Sequence, residues 1–598
     1  MVKLIGKRGM RAMDETLQRV LLINSNNHQF EKAMPLGLMN VATQLNISFN
    51  VSCEILDLPM EDDINSGIES FVQNISLDDA LFVGFSTMCN TFPRSLNIAR
   101  IIKEKFPEIP VVFGGPQATS TAISILNIYF FVDAVIVGEA ESVLKNLMDG
   151  LVYNEKFDVA GLMWQVNNKK ELQNNSQLAH LWEMDSIPLV DYATYPQANN
   201  DAGVLVDAGR GCPFSCTYCS TNDFFQRSYR LKSPNKILEE LTKITTARSV
   251  RRVDFVHDMF TADRRSIEEL CDGLIERKME ITWSCSARID TVDRQLLKKM
   301  KMAGCSNIFF GIETGSQRMQ SIIKKNLDLN SAILKIQDAC NLKLEVTASF
   351  IIGFPQETFK DLADTINLII HFRSLGKSLK SVQTHMLCPM PGTPITKEFS
   401  NRMRYDGFIC DFTSVNNLEI WEKQQIHQYP SLFSSFYYLQ NTNIDRTQYK
   451  FIYWLLFYGA RFETFFRLCW TLVDKELGTK FIEWSMSEET YFFEQFDHMN
   501  KDECIPLLAD KLVLFIEELF QSREVVDALN SSIRFDLWKS HYALKGEEST
   551  YLTPYDFTHE DSYKIANDGK VFLYNIELSS KQMTRIEIPQ TIADAFVF

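Results

Sequence analysis

The chain has no uninterrupted apolar run long enough to cross a bilayer. Its most membrane-like stretch, residues 451–473, is broken by Arg461, Glu463 and Arg467. About ten uncharged residues in a row remain there, roughly half a span, so a buried or interfacial helix is expected. The basic first residues, Met1 to Arg11, are not followed by an apolar core, and no signal peptide is predicted. Positive charge is also in deficit. Lys and Arg number 61 against 76 Asp and Glu, a net charge of −15 without any basic cluster, which argues against a nucleic-acid partner. The 13 cysteines form no paired framework, so a disulfide-stapled secreted domain is excluded and a reducing, cytoplasmic compartment is expected.

What is present centres on residues 209–220, GlyArgGlyCysProPheSerCysThrTyrCysSer. Cys212, Cys216 and Cys219 follow an apolar strand-like run at Val204 to Val206. Three thiols on one loop can converge on a metal or a cluster, and no fourth ligand is supplied locally. An iron–sulfur cluster held by three thiolates keeps one iron open to a substrate or cofactor, as an incomplete ligand set does for zinc. A zinc loop completed by a distant residue is the alternative at this point.

Before this loop, short apolar runs alternate with helix-like segments. Strands are expected at 19–24, 53–58, 81–86, 111–115 and 134–138. Such alternation predicts a doubly wound parallel sheet, with a ligand crevice beyond the strand carboxyl ends. The residues there are small: Ser86 and Thr87, Gly114 and Gly115, Gly138 before Glu139. After the loop, strands at 252–257, 281–286, 307–311, 345–353 and 381–387 alternate with helices; with the strand before Cys212 they make six βα units and a partial (β/α)6 barrel. Polar residues fall at its strand tips: His257 and Asp258, Ser286 and Arg288, Glu313, then Gly353-Phe354-Pro355. A guanidinium and a carboxylate so placed suit a zwitterionic ligand. Their structural alternatives are an Arg288–Asp290 pair and a helix cap by Glu313.

The CxxxCxxC loop, with Tyr218 before its third cysteine, resembles that of the radical S-adenosylmethionine (SAM) enzymes. Pro35-Leu36-Gly37, Ser86-Thr87, the 114–119 run with Gln117, and the 137–141 run with Glu139 look like the cobalamin-binding domain that precedes many such cores. The resemblance covers about residues 18–395. It implies a [4Fe–4S] cluster on Cys212, Cys216 and Cys219, SAM on the open iron, and cobalamin upstream. Tyr218, Ile351 and Gly353 would contact the adenine of SAM, and Ser286, Arg288 and Glu313 its methionine and ribose parts. Pro35, Ser86, Thr87, Gly114, Gly115, Gln117, Gly138 and Glu139 would face cobalamin. The family's chemistry is reductive cleavage of SAM to a 5′-deoxyadenosyl radical, hydrogen abstraction from a substrate carbon, and methyl transfer from methylcobalamin; an electron donor such as flavodoxin or ferredoxin is implied. The substrate would be a small molecule or peptide. Cyclisation or rearrangement would use the same residues, and a cobalamin or cluster sensor without turnover is the reading of another class.

Two departures stand out. Cobalamin proteins that place histidine on cobalt use AspxHisxxGly, whereas Asn26, His28 and Glu31 stand here, so His28 lacks an acidic orienter. The fifth-strand pattern carries Gln356 where the family has Glu, with Glu357 adjacent. The boundaries expected are a tail at 1–17, a cobalamin-binding domain at 18–150, a linker at 151–200, a radical SAM core at 201–398, and a mainly helical C-terminal domain with a small β tail at 399–598. That last region has only Cys410, Cys469 and Cys504, too few for auxiliary clusters, and Cys53 and Cys89 do not make the N-terminal three-cysteine set of methylthiotransferases.

Overall fold

The structure is a computed structural model. It describes residues 18–25, 34–49, 51–58, 64–77, 79–153, 159–166, 171–173, 182–196, 203–247, 250–375, 379–408, 413, 415, 418–462, 465–466, 469, 477–486, 501–521, 526, 529–530, 532–533, 536, 571–577 and 582–588. The loop holding His28 lies outside these residues, as does Cys410. Two compact units are present. The first takes in residues 1–291, 295–306 and 388–439, the second residues 292–294, 307–387 and 440–598.

The first unit opens with β1 (Gln18–Asn24), β2 (Val51–Asp57), β3 (Ala80–Ser86), β4 (Val111–Gly114) and β5 (Ala134–Ile136). All five are parallel, in the order β2-β1-β3-β4-β5. Their near-continuous apolar runs are buried because helices such as Leu36–Ser48, Phe92–Lys105 and Pro116–Ile128 cover the sheet. The strand order reverses between β1 and β3, which puts the crevice outside their carboxyl ends. The stretch expected to be a linker supplies β6 (Leu162–Val166) and β7 (Glu171–Gln173), which extend the sheet antiparallel.

Six further strands alternate with helices: β8 (Val204–Asp207), then, beyond the short pair β9 (Gly209–Arg210) and β10 (Arg230–Leu231), β11 (Arg252–Val256), β12 (Thr282–Ala287), β13 (Cys305–Glu313), β14 (Glu345–Ile352) and β15 (Leu379–Met386). The sheet runs β15-β14-β13-β12-β11-β8, and its recorded pairings are parallel. In β14 and β15 buried Val346, Ala348, Phe350, Ile352, Val382, Thr384 and Met386 lie on one face, and part-exposed Thr347, Ile351, Ser381 and His385 on the other.

Residues 388–439 cluster with the first unit and not with the helices beyond Leu439. Ile426, Leu432, Phe433 and Phe436 enter the same apolar core as Phe92 and Phe113. A buried ion pair, Arg94–Glu422 at 2.9 Å, and Asn97 donating to Glu419 at 2.7 Å fasten the segment. The second unit continues with helices Arg446–Gly459, Leu477–Ser485 and Lys501–Leu519 and the antiparallel hairpin Val571–Glu577 with Gln582–Ile588. Among the described residues no helix is long and apolar enough to cross a membrane.

Gly115, at φ +92°, shows how tightly the β4 turn is closed. A Cβ there would stand 2.8 Å from both the amide nitrogen and the carbonyl oxygen of Thr87. At Gly114 the nearest atom would be at an ordinary 3.7 Å. Gly115→Ala is expected to lose about 1–3 kcal/mol of stability to backbone strain and clash, while Gly114→Ala stays close to wild type. Urea unfolding of the two variants checks this, and equal losses would refute it.

Candidate active site

The strand β8 ends at Asp207, and the chain then makes the short pairing of β9 with β10 before entering the cysteine loop. Arg210 is set here among three carboxylates: Glu141 at 2.8 Å, Asp207 at 3.0 Å and Glu139 at 3.2 Å. Arg230, on the partner strand, makes a short double contact with Glu139 and donates to the Trp182 carbonyl at 2.7 Å. Burial alone would disfavour the Arg210 charge, but Glu141, Asp207 and Glu139 more than offset it and hold the group fully protonated. Asn40, from helix Leu36–Ser48, donates to Asp207 at 3.1 Å.

The loop itself is braced by Asp258 at the end of β11, which accepts from the Gly211 amide and from the Thr221 hydroxyl, both at 3.0 Å. Its neighbour His257 has no catalytic posture. Nδ1 accepts from the Met259 amide at 2.8 Å, so Nε2 carries the proton and donates to the Arg230 carbonyl at 3.2 Å. Burial lowers its pKa to about 4, keeping the ring neutral. Arg288 does pair with Asp290, at 2.8 Å, and at the same time its guanidinium lies 3.8 Å over the Phe214 ring, inside the cysteine loop. The structural and functional readings of Arg288 are therefore compatible.

Cys216 is buried and Cys212 and Cys219 half-buried. Burial raises the Cys212 thiol to about 11, with further increments from Cys219 and Cys216, and burial likewise raises Cys219. The three sulfurs thus sense one another. Three thiolates on one loop match the donor set of a [4Fe–4S] cluster that keeps one iron open. Tyr218 is half-buried beside it, and Ser286 is a partly exposed residue near the end of β12.

In the second unit Glu313 ends β13 at φ +72°, buried, with its carboxylate 3.0 Å from Lys325. It is not a helix cap: the following helix is capped by Ser316, which accepts from the Met319 amide. A Cβ on Gly311 would sit 2.2 Å from the Glu313 carboxylate, so a bare backbone is needed where that side chain folds back. Gly353, at φ +92°, turns the chain after β14, next to Ile351. Its amide donates to Glu357 at 2.9 Å, as does the Tyr449 hydroxyl. Asn441 closes the same turn by donating to the carbonyls of Phe354 and Glu357, both at 2.8 Å. The side-chain role expected near position 356 thus falls on Glu357, while the Gln356 backbone carbonyl accepts from Arg318.

At the first sheet, the small residues do lie at the strand ends, but several polar ones are engaged within the protein. Thr87 is fully buried, donating to the Gly114 carbonyl at 2.9 Å and accepting from the Ala118 amide. Gln117 donates to the Leu432 carbonyl at 2.9 Å, and Glu139 belongs to the Arg210–Arg230 group. Pro35 precedes helix Leu36–Ser48, where its carbonyl accepts from Met39. Ser86 and Gly138 remain at the loop mouths after β3 and β5, with the Gly138 amide donating to Thr119 at 3.0 Å. Sequence reasoning missed Arg210, Arg230, Glu141, Lys325, Tyr449 and Asn441. Only Arg210 carried a signal, as a cation two residues before Cys212.

The B12-binding domain family matches residues 31–148, and the radical SAM superfamily matches residues 206–369. The chain thus carries a B12-binding domain followed by a radical SAM domain. The cofactors of its two domains are a [4Fe–4S] cluster, SAM and cobalamin. The enzyme is 29% identical to an uncharacterized methyltransferase of Pyrococcus horikoshii, over 60% of this chain and 77% of that one. It is 24% identical to the anaerobic magnesium-protoporphyrin IX monomethyl ester cyclase of Rubrivivax gelatinosus, over 48% of this chain and 53% of that protein. Its fold is similar to the cobalamin-dependent SAM radical enzyme OxsB, solved with aqua-cobalamin and SAM, at a TM-score of 0.56 and 14% identity, covering 88% of this chain and 84% of that one.

Burial raises the Glu357 pKa from 4.5 to about 7, so the folded enzyme holds a proton that the unfolded chain releases. The stabilisation is complete below the unfolded value and is lost as pH rises through the folded one, worth about 3 kcal/mol in all. Wild type is expected to lose stability between pH 5 and pH 8, and Glu357→Gln, which keeps an acceptor for Gly353 and Tyr449, to lose less. Urea midpoints across that range decide; parallel curves would sink the assignment.

Proposed function

We propose that this enzyme methylates an unactivated carbon of a small-molecule or peptide substrate. The observation that carries the reading is the three-cysteine loop, whose lead-in residue Arg210 is held by Glu139 and Glu141 of the domain that matches the B12-binding family. When bound, the three cofactors supply a carbon-centred radical and a methyl group. The protein's share is placement. Cys212, Cys216 and Cys219 would hold the cluster and leave one iron open to SAM. Asp258 fixes the loop through the Gly211 amide, and Arg288 holds it through Phe214. Tyr218, Ser286 and Arg288, in the first unit, are the residues this reading gives to SAM. For cobalamin it keeps Pro35, Ser86, Gly114, Gly115 and Gly138 as the residues facing the cofactor. Thr87, Gln117 and Glu139 also belong to this set, and each has a partner within the protein.

The methyltransferase name of the Pyrococcus relative supports methyl transfer, and the cyclase relative favours ring closure as the second reading. A flavodoxin- or ferredoxin-type electron donor and a cytoplasmic setting belong to the same proposal, supported by the radical SAM match.

Anaerobic protein reconstituted with iron, sulfide and hydroxocobalamin is expected to form 5′-deoxyadenosine from SAM under a strong reductant, and Cys216→Ala to form none above background. Mass spectrometry of the nucleoside reads the result. Wild type with a full cluster and no deoxyadenosine, with or without candidate substrates, would overturn the catalytic reading. With a substrate found, transfer of deuterium from methyl-labelled SAM separates methylation from ring closure.

A further inference from the structure

Glu139 and Glu141 stand on the loop after β5, and Asn40 stands on the helix that opens at Leu36. Both elements border the sheet's carboxyl-end loops, and both reach the chain just ahead of the cysteines. Glu139 and Glu141 grip Arg210, and Asn40 grips Asp207. Arg230 joins the group from the strand paired with Arg210. Glu139 and Glu141 are each less than a tenth exposed, as is Asp207. A surface contact of this kind would be worth little, but a buried one cannot shift one partner without stranding another charge.

We propose that this ion group couples the two cofactor sites, so that loading the cluster on Cys212, Cys216 and Cys219 tightens the binding of cobalamin, and the reverse. The inference rests on the functional reading above, in which the loop after β5 faces cobalamin. Cluster ligation fixes the loop that begins at Gly211, which in turn fixes Arg210. Arg210 then holds the Glu139–Glu141 loop in its binding shape, so cobalamin need not order that loop itself. Coupling of this kind is reciprocal by linkage. Glu141 and Arg210 act here as positioning residues, through their ion pair with one another.

The test is equilibrium dialysis with hydroxocobalamin under anaerobic conditions, on the full chain with and without a reconstituted cluster. Wild type is expected to bind about fivefold or more tightly when the cluster is loaded. In Glu141→Gln, and separately in Asn40→Ala, binding persists but the ratio falls toward one, with iron content per chain unchanged. Circular dichroism melts confirm that the variants compared are folded, and the second variant serves if the first is not. Equal affinity of wild type with and without cluster overturns the coupling while leaving the cobalamin reading intact, as does an undiminished ratio in both variants. No binding of hydroxocobalamin by wild type in either state overturns the cobalamin reading and the coupling with it.

Discussion

Arg210 is the constraint on which the rest of the first unit depends. A guanidinium taken out of water is costly unless its donors are matched, and here three carboxylates from two parts of the chain supply the match. The reverse dependence is as strong. Glu139, Glu141 and Asp207 would be three like charges in a nearly dry space without Arg210 and Arg230, and removing one member of a buried pair typically costs about 3–5 kcal/mol. Neither the loop after β5 nor the end of β8 can therefore adopt its observed path alone. The planar fork of arginine is suited to this, since lysine offers a point charge and could not address several carboxylates in fixed directions.

That same economy explains what could be read from the sequence. The strands were legible because parallel strands covered on both faces need continuous apolar runs, and those runs are local. The cysteine loop was legible because its ligand spacing is local too. A polar residue at a βα turn is ambiguous in sequence: Gln117 and Glu139 look like ligand contacts, and the structure ties them to Leu432 and to two arginines. Gln117 and Leu432 are 315 residues apart, and no periodicity or spacing announces such a bond. Arg288 shows the opposite case, since its pairing with Asp290 could be foreseen two residues away while its stacking on Phe214 could not.

The C-terminal third was the least legible part for a related reason. Its aromatic, helical pattern is that of core, but a pattern does not say whose core. Phe433 and Phe436 join Phe92 in the first unit, whereas Tyr449 turns to Glu357 in the second. The division falls near Leu439, between stretches of similar composition. Buried polar partners, more than hydrophobicity, assign each piece: Glu422 can satisfy its charge against Arg94, and Asn441 its amide against the turn after Gly353.

The Gly353 turn makes the point in its sharpest form. Its amide must be directed, and the acceptor is a carboxyl group that burial keeps near neutrality. Glu357 can occupy that place only because Tyr449 and Gly353 both donate to one of its oxygens, so each hydrogen bond lowers the cost of burying the acid. A glutamate one position earlier, as the family pattern has it, is replaced here by Gln356, whose own backbone carbonyl is taken by Arg318. The turn is thus held by Glu357 and by two partners more than 80 residues away. A motif judged by position would count this as a defect. Judged by where the turn's hydrogen bonds go, it is complete.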